Sequence, residues 1–268
     1  MDALVYTLPA RELVPTGTVF GPDLILLKLT PAPGTRRPLG LVHTLEVVQR
    51  MREALLSRSN DLPGGIQPLL SGHDATGAPL FRPHLAISPI ASVGQPGANG
   101  RLTGMALTLP AATSEGDQRL VLGAIRQIRR LALGRLGLWN VSPAWGEKPE
   151  AWTAHPAGAT HWSTVTPLAY DAHPKGPGDL EAMIARACAH VGLPAPRTVI
   201  VTQVSIHIGT PPAHAFPRLR RKDGHERRHS HVILTFDQPV VGPLLLGAGR
   251  HRGYGLFRPL PDHGSSHS

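Results

Sequence analysis

Apolar positions change period several times along the first half of the chain. Leu24 to Leu29 (LILLKL) is a short apolar run suited to a buried strand. After the turn signal Pro31-Ala32-Pro33-Gly34, apolar residues recur at Leu41, Leu45, Val48, Met51 and Leu55, steps that define one helix face. His84 to Ile90 and Leu102 to Leu109 read as two strands, with Pro96-Gly97-Ala98-Asn99-Gly100 as a turn between them. Ser114 with Asp117 signals a helix start, and Leu120, Val121, Ala124, Ile125, Ile128 and Leu131 form its apolar stripe. Strand, helix, strand, strand, helix is most of a ferredoxin-like unit.

A Pro- and Trp-containing stretch, 139–160, reads as a linker, and the order then recurs. Ser163 to Tyr170 is strand-like. Asp179 opens a helix with Leu180, Met183, Ile184, Ala187 and Val191 on one face and Gly192 as its stop. Arg197 to Ile208 and His231 to Phe236 read as strands around a polar, basic loop, 209–230. Tyr254 to Leu260 is a last strand. The pattern predicts an α+β protein of two tandem ferredoxin-like (RRM-like) units with a Gly-rich loop near the C-terminus. The expected boundaries are an N-terminal arm 1–22, a first unit 23–138, the linker 139–160, a second unit 161–260 and a tail 261–268.

Composition narrows the function classes. The 29 Gly and 28 Pro make up about a fifth of the 268 residues, below the ~25–30% of low-complexity chains, and 41% apolar residues can fill a core. No stretch approaches the roughly 20 apolar residues of a membrane span. The start, Met1-Asp2-Ala3, has no secretory pattern, so a cytoplasmic protein with no membrane partner is expected. The single cysteine, Cys188, excludes an internal disulfide and any multi-cysteine zinc site. No cofactor and no metal are expected.

Charge points to a polyanion. Lys+Arg is 27 against 18 Asp+Glu, and 23 of the 27 are Arg, whose planar fork suits phosphate. Nine Arg and one Lys against three acids fall within 197–258. Arg218, Arg220, Arg221, Lys222, Arg227 and Arg228 form a cationic loop expected to track phosphates. Gly247, Gly249, Gly253 and Gly255 then frame Arg250, His251 and Arg252. Gly247, Gly249, Arg250 and Arg252 are expected to contact RNA, glycine allowing close backbone approach; packing of helix on sheet is the competing reading. Aromatics are only 4%, which argues against extended base stacking.

Several segments resemble a known family. Trp162-Ser163-Thr164-Val165-Thr166-Pro167, Asp171-Ala172-His173-Pro174-Lys175 and Gly242-Pro243-Leu244-Leu245-Leu246-Gly247-Ala248-Gly249-Arg250 resemble the CRISPR-associated Cas-six repeat endoribonucleases. More closely, they resemble the C-terminal half of the type I-G (formerly I-U) Cas-five/Cas-six fusion. Ser71-Gly72-His73-Asp74, Pro83-His84-Leu85-Ala86 and Gly100-Arg101-Leu102-Thr103-Gly104 agree in order. Ala172 departs from the Arg expected before His173. The resemblance, over about 20–260, implies two ferredoxin-like folds, a CRISPR repeat RNA as ligand, and residence in a Cascade-like effector with other Cascade subunits. The chain has no room for the Cas-five half, so the resemblance further implies a split or internally initiated form with a separate Cas-five-like chain as partner.

Metal-free RNA cleavage needs one group to deprotonate the 2′-hydroxyl, another to protonate the leaving oxygen, and positive charge on the phosphate; histidine suits the first two. His84, His73 and His43 are the catalytic candidates, each with a structural alternative: strand-edge packing, turn capping and an exposed helix start. His229, His231 and His173 follow them. The expected activity is an endoribonuclease that cuts CRISPR repeat RNA to mature crRNA, leaving a 2′,3′-cyclic phosphate and a 5′-hydroxyl, and keeps the 3′ hairpin. The alternative is a catalytically inactive crRNA-binding subunit of the same complex.

Overall fold

The computed structural model describes residues 14–59, 62, 66–74, 76–80, 82–144, 148–176, 178–221 and 223–261. Lys222 and most of the expected arm and tail lie outside them. The chain is mixed α+β with two sheets.

The first sheet is built from β2 (Ile25–Pro31), β3 (Ala86–Ala91), β4 (Leu102–Thr108), β5 (Arg130–Ala132) and β6 (Leu138–Pro143); β1 (Thr16–Gly17) belongs to the second. Its order is β3-β4-β2-β6-β5, antiparallel throughout. Without the short β5 this is the strand order of a ferredoxin-like unit. The helix periodicity is realised in α1 (Thr44–Arg58), preceded by a 3-10 turn at Leu41–His43. Leu41, Met51 and Leu55 are fully buried, and each such side chain removed from water contributes about 1.5–3 kcal/mol. A short α2 (Ile66–Ser71) follows. Ser114 caps α3 (Glu115–Gln127), its hydroxyl accepting from the Asp117 N–H at 3.1 Å.

Two expectations shift here. Leu131, counted on the helix stripe, is buried in β5, because the helix ends at Gln127 with Ile128 extended. The stretch expected as linker begins with β6, whose Trp139 and Val141 are buried and paired to β2. Two alternating positions between polar residues give too little period to reveal a strand.

After α4 (Glu150–Thr153), the second sheet contains β7 (Ala159–Thr164), β8 (Leu168–Ala169), β9 (Thr198–Thr202), β10 (His229–Val241) and β11 (Phe257–Pro259). The helix α5 (Asp179–Ala189) lies between β8 and β9. Strand β10 pairs with β9 on one side and β7 on the other, and β11 lies beyond β7, repeating the first sheet's order. The strand expected over 197–208 stops at Thr202. Beyond it, Ser205 and His207 turn inward and donate to the carbonyls of Thr164 and Ser163 at 2.7 and 3.1 Å, while Val204, Ile206 and Ile208 stay exposed. Where a second helix would return the chain to β11, residues 242–256 instead form turns and isolated bridges.

That segment locks the two sheets together. Arg252 bridges Ile87 of β3, and Gly253 (φ +82°) sits where a Cβ would fall 2.6 Å from Thr44 Cγ2 of α1. The Gly94 N–H donates to the Ile208 carbonyl at 2.9 Å, and Arg258 donates to the Val93 and Ala151 carbonyls. Among the described residues, no helix is long and apolar enough to cross a membrane.

Candidate functional site

Docking of the Gly-rich segment against α1 and β3 brings two histidines face to face. The His84 and His251 rings stack with centroids 3.5 Å apart and planes 15° from parallel. His84 precedes β3 and lies over Gly72, where a Cβ would fall 2.4 Å from its Nε2. Phe20 meets the His251 ring edge-on at 5.7 Å. Each ring buries an Nδ1 with no hydrogen-bond partner.

Cations surround the stack. Burial, then the Arg52 charge, then those of Arg250 and His73, push His84 down to about 4. Burial, then His84 and Arg250, hold His251 lower still. Both imidazoles are therefore neutral at pH 7, since two rings in van der Waals contact beside guanidiniums cannot both carry charge. Burial, and after it the Arg252 charge, lowers Arg52. Among the described residues none of Arg52, Arg250 and Arg252 forms an ion pair. The arrangement is a pair of neutral imidazoles beside guanidiniums that, among the described residues, are in no ion pair, which suits a phosphodiester and a proton transfer next to it.

The other sequence candidates fall in different places. His73 is exposed beside His84, its Nδ1–H donating to the Ser71 carbonyl at 2.9 Å, which leaves Nε2 toward solvent. His43 accepts the Gly40 N–H at 3.1 Å on Nδ1, closing the 3-10 turn that leads into α1; among the described residues no hydrogen bond or ring contact ties it to the stack. His231 is fully buried, donating from Nε2 to the Pro211 carbonyl (3.0 Å) and accepting from Thr164 Oγ1 (2.9 Å). His229 is buried and donates to the Ala213 carbonyl at 2.9 Å. Both hold the loop 209–228 onto β10. His173 lies in a cleft of about 300 Å³ with Tyr170, Arg221, His225, Arg227 and Arg228.

The cationic loop is more tied down than its sequence implies. Arg221 pairs with Asp223 at 3.0 Å and Arg218 with Glu226 at 3.6 Å. Arg227 donates to the Tyr170 and Asp171 carbonyls at 2.9 and 2.7 Å. Among the described residues, Arg220 and Arg228 are the loop cations that are exposed and unpaired. Burial lowers Arg250, and the Asp171 charge opposes that lowering.

Gly247 and Gly249 do not open onto solvent. A Cβ on Gly247 would fall 2.4 Å from the Ala169 carbonyl oxygen, and one on Gly249 would fall 2.5 Å from Tyr254 Cβ. The protein's own atoms fill the space that a close phosphate would need. Sequence reasoning did not place Arg52 or His251 in the site. Arg52 lies one turn beyond Val48, on the α1 face that Gly253 meets, and His251 lies inside the basic triplet of the Gly-rich segment. Among the described residues no group of three or more His, Cys, Asp or Glu is arranged to hold a metal ion.

No protein-family model and no curated protein match the chain. Solved structures do. One is described as "Characterization of a Cas6-related gene from Pyrococcus furiosus": 12% identity, 90% of this chain, 100% of that chain, TM-score 0.47. A second, "An RAMP protein binding different RNA substrates", shares 14% identity over 89% of this chain and 99% of that one, TM-score 0.46. A third, "Crystal structure of Cas6b", shares 11% over 88% and 99%, TM-score 0.45. At such identities and TM-scores, the functional reading rests on this chain's own residues.

Proposed function

We propose that the chain is an endoribonuclease that cleaves CRISPR repeat RNA within a Cascade-like complex and stays on the 3′ hairpin. The observation that carries the reading is the neutral His84–His251 stack set among Arg52, Arg250 and Arg252, none of them in an ion pair among the described residues. The segments that resemble the repeat endoribonucleases supply His73, His84 and Arg250 to this cluster.

In this reading His84 accepts the proton of the 2′-hydroxyl, and the 2′-oxygen attacks the adjacent phosphorus. The bond to the 5′-oxygen breaks, and that oxygen takes the Nε2 proton of His73 in its imidazolium form, the Nδ1–H staying on the Ser71 carbonyl. The products are a 2′,3′-cyclic phosphate and a 5′-hydroxyl. The guanidiniums offset the charge that builds on the phosphoryl oxygens. His251 positions His84 by stacking, while burial and the Arg52 charge keep His84 neutral.

The test is single-turnover cleavage of a 5′-labelled repeat hairpin in EDTA. General acid–base catalysis contributes about 10²–10⁴-fold. His84→Ala is expected to slow cleavage by about that factor with hairpin affinity kept, and His43→Ala is expected to leave the rate unchanged. Hairpin bound but never cut by the wild type would leave the guide-anchoring subunit as the function.

A further inference from the structure

Strand β9 leaves one edge of the second sheet open. It pairs with β10 in an unbroken register, from Thr198 opposite Thr235 to Thr202 opposite His231. Among the described residues no strand or isolated bridge meets its other side. A row of unpaired N–H and C=O groups is a template for another strand, and proteins protect such edges with Lys, Pro or a bulge. Thr198-Val199-Ile200-Val201-Thr202 has none of the three. Just before it, Arg197 is already paired with Asp237 at 3.7 Å. Apolar surface concentrates there instead: Ile200 is 50% exposed, Val201 37%, and Val204, just past the strand, 60%. That surface favours a covering partner.

The order of residues in the strand points to the partner. A two-fold antiparallel pair centred on Ile200 sets Thr198 against Thr202 of the second copy, Val199 against Val201, and Ile200 against itself. Because TVIVT reads the same in both directions, every pair is like with like, Thr on Thr and β-branched apolar on β-branched apolar. Such pairs stabilise a sheet, and a like pair repels only where it is charged, which none of these is. Val199 also lines, with Ala182 and Ala185 of α5, a groove of about 410 Å³ beside the same edge. Opposite residues of an antiparallel pair point to one face, so Val201 of the second copy arrives on the side of that groove. Two chains of net charge +9 repel at long range, and an edge with no charge within the strand is where that repulsion is least felt. We propose that the chain forms a two-fold dimer through β9, joining the two copies of the second sheet into one. The contact uses the same edge of both copies, so assembly closes at two. It does not depend on the RNA reading.

Sedimentation velocity of the nucleic-acid-free chain, from about 1 to about 200 µM as suits a small interface, measures the association. The mass is expected to move from 28.6 kDa toward twice that value, and to do so at lower concentration as KCl is raised, because salt screens the repulsion between copies. Copies bridged by residual RNA would show the opposite salt dependence. Ile200→Lys sets two like charges opposite each other on the axis and is expected to weaken the dimer at least about tenfold. Its melting temperature should hold, since Ile200 is half exposed. Cross-linking checks the register even if that variant is unstable. Ile200→Cys stands about 5 Å from its own copy across the axis and should be joined by a thiol cross-linker shorter than about 10 Å; Thr198→Cys, about 13 Å from its own copy, should not. Cys188 is fully buried, so the wild type is the unreactive control. A wild type that stays at 28.6 kDa throughout, a mass beyond twice that value, a folded Ile200→Lys that associates like wild type, or cross-linking at 198 rather than 200 would overturn the proposal.

Discussion

Acid should weaken this fold above the pH at which carboxylates titrate. Burial pushes His231 and His84 down to about 4 and holds His251 lower, while His207 and His229 are also lowered by burial. In the unfolded chain these imidazoles titrate near 6.5. The native state thus binds fewer protons than the unfolded state between about 6.5 and 4. Stability is complete above pH 6.5 and is lost as pH falls toward 4. Lowering pH from 6.5 to 5.0 costs about 1.5 kcal/mol for a fully shielded imidazole of this kind. His231, with no exposed surface, counts in full. His84 and His251, which solvent reaches, count for less, so the three together remove about 3–4 kcal/mol from a typical 5–15. Urea unfolding followed by tryptophan fluorescence at pH 7.5, 6.5, 5.5 and 5.0, at constant ionic strength, measures this directly. The midpoint should hold from 7.5 to 6.5 and then fall steeply. His231→Gln, which keeps an amide donor for the Pro211 carbonyl and cannot titrate, should shrink the fall by about a third to a half. A midpoint that stays constant from pH 7.5 to 5.0 would refute the claim that these rings are held neutral.

Two further outcomes follow from packing and charge. Gly255 (φ +68°) leaves room for no side chain, a Cβ falling 1.9 Å from the Leu246 carbonyl oxygen; Gly255→Ala should destabilise the fold by more than about 1 kcal/mol, read as a lower melting temperature. Arg220→Ala with Arg228→Ala should lower the salt slope of hairpin binding by up to about 0.9 per lost contact, whereas Arg227→Ala should lower the melting temperature, since its guanidinium holds two carbonyls.

Periodicity alone was enough for most elements. The steps of three and four from Leu41 to Leu55 place one side of α1 in the core wherever the rest of the chain goes, and the apolar runs Leu24–Leu29 and Leu102–Leu109 supply Leu27, Leu29, Met105 and Leu107 to the core. Short elements escaped: β5 and β6 carry too few alternating residues for a period, and β9 ends where hydrogen bonds to the Ser163 and Thr164 carbonyls outcompete further pairing. The candidate site was half legible. Residue type and local spacing marked His84 and the basic triplet 250–252, because both are features of a few consecutive residues. Only tertiary structure decided that His251 stacks on His84 across 167 positions, that Arg52 joins them from α1, and that the glycines of the segment face packed protein. Sequence carries what is local and periodic. Which charges end up unpaired on one surface, and which rings are stripped of water, depends on how the two sheets dock, and no local pattern encodes that.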